Sequence, residues 1–121
     1  MDFRDLHDYK HGFELAMEIF KVSKNFPKEE TYSLTDQLRR SSRSVCANIA
    51  EAYRKRQYPA HYASKLSDSD AENAETLMWL EFALECEYID KNTHQQLVAK
   101  NQSVGNLIGY MINNPQKFGV K

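Results

Sequence analysis

Glycine and proline are scarce in this chain, at four and three of 121 residues. That scarcity excludes folds built from many tight turns, which depend on the positive φ open to glycine and the fixed φ of proline. No run approaches the roughly eighteen apolar residues of a membrane-spanning helix, so no membrane partner is expected. The opening Met1-Asp2-Phe3-Arg4-Asp5 lacks the basic start and apolar stretch of a secretory signal, and a soluble cytoplasmic protein is the expectation. Cysteine is limited to Cys46 and Cys86, far apart and each inside a helical pattern. In a cytosolic chain of this size they read as small buried hydrophobes rather than as a disulfide. Charge of one sign is also lacking: a net charge of −1 removes the case for a protein that coats nucleic acid over its whole surface, while leaving a local patch open.

What remains is helical sequence. The length fits one domain, residues 1–121, with Lys, Glu, Leu and Ala well represented. Stop and start signals place helices at about 6–25, 33–57, 59–88 and 91–113. Asp5 is the expected N-cap of the first, whose apolar Tyr9, Phe13, Ala16, Met17 and Phe20 recur at helical spacing, and Pro27 ends it. Ser33 and Asp36 form a weak capping box for the second, whose seam is Leu34, Leu38, Ser41, Val45, Ile49 and Ala52. Pro59 suits the first turn of the third, a rod of about 45 Å. Leu97, Asn101, Val104, Leu107, Ile108 and Met111 line the fourth, which Pro115 stops, and residues 116–121 are expected to fray. Short connections between long helices give an all-α, antiparallel up-down-up-down four-helix bundle.

Charge and apolar surface are distributed unevenly over these helices. Arg39, Arg40, Arg43, Arg54, Lys55 and Arg56 load the second helix, whereas Leu66 to Asp90 holds eight carboxylates and no Lys or Arg. Asp36 and Glu51 stand four residues before Arg40 and Lys55 and can pair with them. Arg39, Arg43, Arg54 and Arg56 have no such local partner, so they are candidates to grip phosphates or to meet the acidic third helix, within the bundle or across a subunit interface. In the third helix, Leu77 to Leu84 is apolar almost all round. A single buried face needs a stripe only about 100° wide, so Met78, Trp79 and Phe82 are expected to face a second copy of the chain.

Residues that carry chemistry are present without the company chemistry needs. His7 and His11 have the spacing of two ligands on one helical face, yet no intervening Glu and no nearby Cys or His completes a shell, so no metal or cofactor is expected. His61 and His94 are isolated. Ser41, Ser42 and Ser44 lack a nucleophile elbow or a Ser-x-x-Lys context. Asp68, Glu72 and Glu75 lack the Glu-x-x-His of di-iron bundles. Asn48 and Glu51 read as a structural hydrogen-bonded pair. Catalysis is the weakest class, and an enzyme built on His7 and His11 is the last alternative.

The run Phe26-Pro27-Lys28-Glu29-Glu30-Thr31-Tyr32-Ser33-Leu34-Thr35-Asp36-Gln37-Leu38-Arg39-Arg40, followed by Ser44-Val45-Cys46-Ala47-Asn48-Ile49-Ala50-Glu51, resembles the signature of bacterial four-helix bundle proteins encoded in intervening sequences of large-subunit ribosomal RNA genes. That family includes the accessory variability determinant of diversity-generating retroelements. Asp5-Leu6 and the Glu87-Tyr88-Ile89 turn match in order, so the resemblance covers nearly the whole chain. It implies a homopentamer, often a barrel with a central channel; for the retroelement branch it implies a basic surface that binds RNA or DNA and a partner reverse transcriptase. Ala52 stands where a glycine commonly follows Asn-Ile-Ala-Glu, and Ser67 to Glu75 departs from the usual Ser-Leu-x-Glu-Leu-like run. The expectation is a non-catalytic homo-oligomeric scaffold or adaptor. The alternative is a nucleic-acid-binding accessory protein using Arg39, Arg43, Arg54, Lys55 and Arg56.

Overall fold

Most helix starts in this chain have a local chemical cause. In the computed structural model, which describes all of residues 1–121, α1 spans His7–Ser23, α2 Leu34–Arg54, α3 Pro59–Glu85 and α4 Lys91–Asn113, with no strand. Asp5, expected to cap α1, belongs instead to a short 3-10 turn, Phe3–Asp5: its carboxylate accepts from the Asp2 amide while Asp2 accepts from the Arg4 amide. Ser33 does not cap α2 through its side chain. Glu30, at the end of a second 3-10 turn over Lys28–Glu30, accepts from the Leu34 amide at 3.2 Å. Pro59 sits in the first turn of α3, and Asp90 caps α4 by accepting from the Thr93 amide at 2.7 Å. Between α3 and α4 the chain turns at Glu87, a non-glycine residue at φ 62. Tyr88 then donates its hydroxyl proton to Glu30 at 2.8 Å, tying that turn to the start of α2.

The helices pack in cyclic order, α1 on α2, α2 on α3, α3 on α4 and α4 back on α1, which is the up-down-up-down bundle. Every residue of the expected α2 seam is buried, as are Leu97, Asn101, Val104, Ile108 and Met111 on α4. Helix α1 differs from expectation. It buries Asp8, Gly12, Leu15, Ala16, Ile19 and Ser23, and leaves Phe13 and Met17 exposed at 52% and 41%. Gly12 lies on the buried face, where a Cβ would stand 3.3 Å from Cys46 Sγ, so its absence eases the approach of α1 to α2.

The interior is two apolar blocks separated by a polar layer. Leu15, Ile19, Phe26, Leu34, Leu38, Leu80, Ala83, Ile89 and Leu97 form one block. Val45, Ile49, Ala52, Tyr62, Leu66, Val104, Ile108 and Met111 anchor the other. Between them Thr76 donates to Ser41 at 2.9 Å and Ser69 donates to the Val45 carbonyl at 2.8 Å. Asn73 and Asn101 exchange amide-to-carbonyl bonds of 2.9 and 2.8 Å across α3 and α4. Fully buried polar groups paired in this way fix helix register, because a slip would orphan them.

The C-terminal residues, expected to fray, are docked. Pro115–Phe118 forms a 3-10 turn, Gly119 adopts the left-handed conformation at φ 84, and Val120 is buried in the second block at 4% exposure. Arg56 holds them there, donating to the Phe118 carbonyl at 3.3 Å. No helix of the chain is long and apolar enough to cross a membrane.

Candidate functional site

Two apolar faces of the bundle have no covering within the chain. On α3, Met78 and Phe82 are exposed at 42% and 52%, while Trp79 is half-buried against the first apolar block. The Trp79 indole donates to Glu75 Oε2 at 3.3 Å, and its ring lies 5.7 Å from that of Phe82. Of the three residues expected to exceed one buried stripe, two are thus about half exposed and the third is half-buried beside them. Glu81 and Glu85 are exposed on the same stretch of helix.

The other face was hidden from sequence reasoning. Phe3, Tyr9, Phe13, Ala16 and Met17 line one wall of a groove of about 430 Å³, and Arg43, Cys46, Ala47 and Ala50 of α2 line the other. Tyr9 stacks on Phe13 with centroids 6.1 Å apart. The small residues Ala47 and Ala50 line the floor of this groove, while Trp79 and Phe82 border a smaller hollow of about 240 Å³ with Leu34 and Gln37 of α2. A signal was available: Leu15, Ile19 and Val22 add to Tyr9, Phe13, Met17 and Phe20, which is more apolar surface than one buried stripe on α1 can use.

The basic residues of α2 separate into two clusters about 22 Å apart, fifteen residues along the helix at its rise per residue. At one end Lys24, Arg39 and Arg43 surround the Phe20 ring, with cationic centres 4.7, 4.8 and 5.8 Å from its centroid. Arg39 also donates to Ser23 Oγ at 2.8 Å. Thr31, Thr35 and Asp36 border this cluster. At the other end Arg54 and Lys55 are exposed and Arg54 shares a hollow with Lys121, while Arg56 stacks 3.7 Å over the Tyr53 ring and is committed to the C-terminal turn.

Counter-charge from α3 reaches little of this. Arg40 meets Glu75 at 3.4 Å, and Glu51 pairs with Lys65 at 2.8 Å rather than with Lys55. Arg39, Arg43, Arg54, Lys55 and Arg56 form no ion pair within the chain. Asn48 donates to the Ser44 carbonyl at 3.0 Å instead of meeting Glu51. Glu81 turns to His94 at 3.0 Å.

The remaining candidates are occupied by structure. His7 and His11 are both exposed, and no third His, Cys, Asp or Glu joins them in a ligand-like group. Ser41 and Ser42 donate to the Leu38 and Arg39 carbonyls of their own helix. Burial pushes the Cys46 thiol up to about 12, which keeps it neutral and unreactive, and Cys86 is exposed. A buried carboxylate, Asp8, was not singled out by the sequence because one acidic residue near a helix start is ordinary.

Similar proteins agree with this architecture. A crystal structure of a protein of unknown function from the S23 ribosomal protein family of Bacteroides thetaiotaomicron VPI-5482 superposes with a TM-score of 0.79 at 26% identity, covering 88% of this chain and 95% of that one. No curated protein matches the chain. Residues 4–110 match the family described as 23S rRNA-intervening sequence protein, spanning all four helices to within a turn of the end of α4. The chain belongs to the 23S rRNA-intervening sequence protein family.

Proposed function

We propose that this protein is a non-catalytic building block of a homo-oligomer, a scaffold whose copies join head to tail. One observation carries the reading: an apolar groove on α1 and α2 and a separate exposed apolar face on α3, which share no residue. They also differ in charge: Arg43 at the groove and Glu85 beside Phe82 are both exposed and without an ion pair in the chain. A contact between two different faces is heterologous, and repeated copies then close into a ring or run on as a filament. Five-fold closure is what the family resemblance adds.

Light scattering tests the reading. The wild-type protein should form particles of several subunits at micromolar concentration. Phe13→Glu and Phe82→Glu should each reduce it to smaller species while circular dichroism stays helical, since both side chains are outside the core. A wild-type monomer across that range would refute it.

A second reading, a nucleic-acid-binding accessory protein that works beside a reverse transcriptase, has its own observation. Lys24, Arg39 and Arg43 gather on one ring without a carboxylate partner, an arrangement suited to phosphate oxygens and repeated by each subunit of an oligomer. Weak patches multiplied by a ring would give salt-sensitive binding to RNA or DNA.

A further inference from the structure

Thr31, Thr35, Asp36, Arg39, Arg40 and Arg43 line a hollow of about 350 Å³ over the first turns of α2, and no apolar residue borders it. By liquid volume it has room for about eleven waters, enough for a phosphate group and a sugar. Thr35 is its most buried lining residue, at 7% exposure, and its hydroxyl makes no hydrogen bond within the chain. The side-chain oxygens that are both sealed from solvent and without a partner are Asp8 Oδ2 and Glu72 Oε2. The Thr35 hydroxyl, unpartnered but not sealed, therefore opens to solvent, and the hollow is the space it lines.

Arg39 is oriented before any ligand arrives. Its Nε donates to Ser23 Oγ at 2.8 Å and its guanidinium carbon lies 4.8 Å from the Phe20 ring centroid, which leaves both terminal nitrogens without a partner. Arg43 forms no ion pair, and Arg40 shares Nη2 between Gln37 and Glu75. Thr31 and Asp36 complete the lining; both are exposed, and Asp36 forms no ion pair. Guanidinium forks and a hydroxyl converging on one space suit a tetrahedral oxyanion. The Asp36 carboxylate opposes a second negative group and can accept from an alcohol, which favours one phosphate on a sugar over a polyphosphate. Burial of Thr35 adds a steric condition. A phosphate inside a nucleic-acid strand has chain on both sides and lies along the surface, whereas a terminal phosphate enters a hollow end-on and offers three free oxygens instead of two.

We propose that this hollow is a binding site for a terminal phosphate, a phosphomonoester on a sugar, with Thr35 and Arg39 donating to its free oxygens and Arg40 and Arg43 adding charge from the sides. The site rests on the phosphate reading of the Phe20 cluster, because Arg39 and Arg43 belong to both, and it adds a preference that a diffuse basic patch lacks. Two sources carry this group: a free sugar phosphate, and the phosphorylated end of a nucleic-acid strand. Arg43 also borders the groove on α1 and α2, so the test variant spares it.

The first probe is ribose 5-phosphate at pH 7.5 and low salt, doubly ionised above a second pKa of about 6. Binding of about millimolar strength is expected for so few atoms, seen as saturable NMR shifts of the Thr35 amide and the Arg39 Nε proton. Dimethyl phosphate, a singly charged diester, should bind about tenfold more weakly or worse. Thr35→Val removes only the hydroxyl and should weaken ribose 5-phosphate about tenfold, the loss of a hydrogen bond to a charged group. Its circular dichroism should be unchanged, since that hydroxyl has no partner in the fold. The second probe is a short single strand with a 5′-phosphate, compared with the same strand ending in a 5′-hydroxyl. A stronger shift by the phosphorylated strand, lost in Thr35→Val, would support the site and name the strand end as a source. Ribose 5-phosphate binding with neither strand would support the site with a free sugar phosphate as its source, and the nucleic-acid reading would fall alone. Two strands bound equally, a diester bound as tightly as the monoester, or undiminished binding to Thr35→Val would overturn the site, and the first of these would leave the nucleic-acid reading standing.

Discussion

At the scale of single residues, Asp8 sets the sharpest pH dependence. Its folded carboxyl titrates at about 6 against a reference of 3.8, because burial disfavours the charge more than the Tyr9 amide favours it. The folded state therefore binds a proton more readily than the unfolded chain between these values, and stability falls as pH rises through that window. The loss attributable to Asp8 is about 3 kcal/mol when complete, since each tenfold change in proton affinity is worth about 1.4 kcal/mol. Asp8→Asn should be more stable than wild type at pH 7.5 by up to that amount, with the difference vanishing near pH 3.5. Urea denaturation at the two pH values measures it, and an unchanged difference would contradict the burial account. None of this was legible in the sequence, where the apolar stripe through Tyr9, Phe13 and Met17 drew attention away from the face carrying Asp8 and Gly12. A seam in which Asp8, Gly12 and Ser23 alternate with Leu15, Ala16 and Ile19 is apolar only along its middle, so its ends show no helical stripe until α2 is laid against them.

At the scale of elements, the α2 seam and the four helices were readable because Leu34, Leu38, Val45 and Ile49 repeat at helical spacing and Pro27, Pro59 and Pro115 punctuate the chain. The polar layer was only partly readable. Ser41 and Asn101 sat on expected seams, but their partners Thr76 and Asn73 come from another helix, and no local pattern names a long-range pair. Asn73→Ala should cost about 1–3 kcal/mol, because it leaves the buried Asn101 side chain without its Asn73 Oδ1 acceptor and the Asn101 carbonyl without its donor. A double-mutant cycle with Asn101→Ala should show positive coupling, and strict additivity would mean that the two amides do not act as a pair. The sequence places five cations on the second helix, whereas the structure holds Arg39 and Arg43 within α2 and Arg54, Lys55 and Arg56 at and just past its end. If the Phe20 cluster contacts phosphate, charge reversal of Lys24 and Arg39 should flatten the salt dependence of RNA or DNA binding by about one in slope per contact, while reversal of Arg54 and Lys55 leaves it steep. Equal effects from both pairs would point to diffuse attraction rather than a site.

At the scale of the whole molecule, the chain is a bundle whose interior is complete and whose exterior is not. The α3 face was legible because Leu77 to Leu84 exceeds the needs of one buried stripe. The groove was not, because it exists only where Phe13 and Met17 of α1 stand beside Ala47 and Ala50 of α2. If these two faces bind each other in different copies, variants that each lose one face should complement one another. Phe13→Glu spoils the groove and keeps the α3 face; Phe82→Glu does the reverse. Mixed at micromolar concentration, two variants that are monomeric alone should form a one-to-one heterodimer by analytical ultracentrifugation, through their single intact pair of faces. Two variants that stay monomeric together, or that each still assemble alone, would contradict the head-to-tail account.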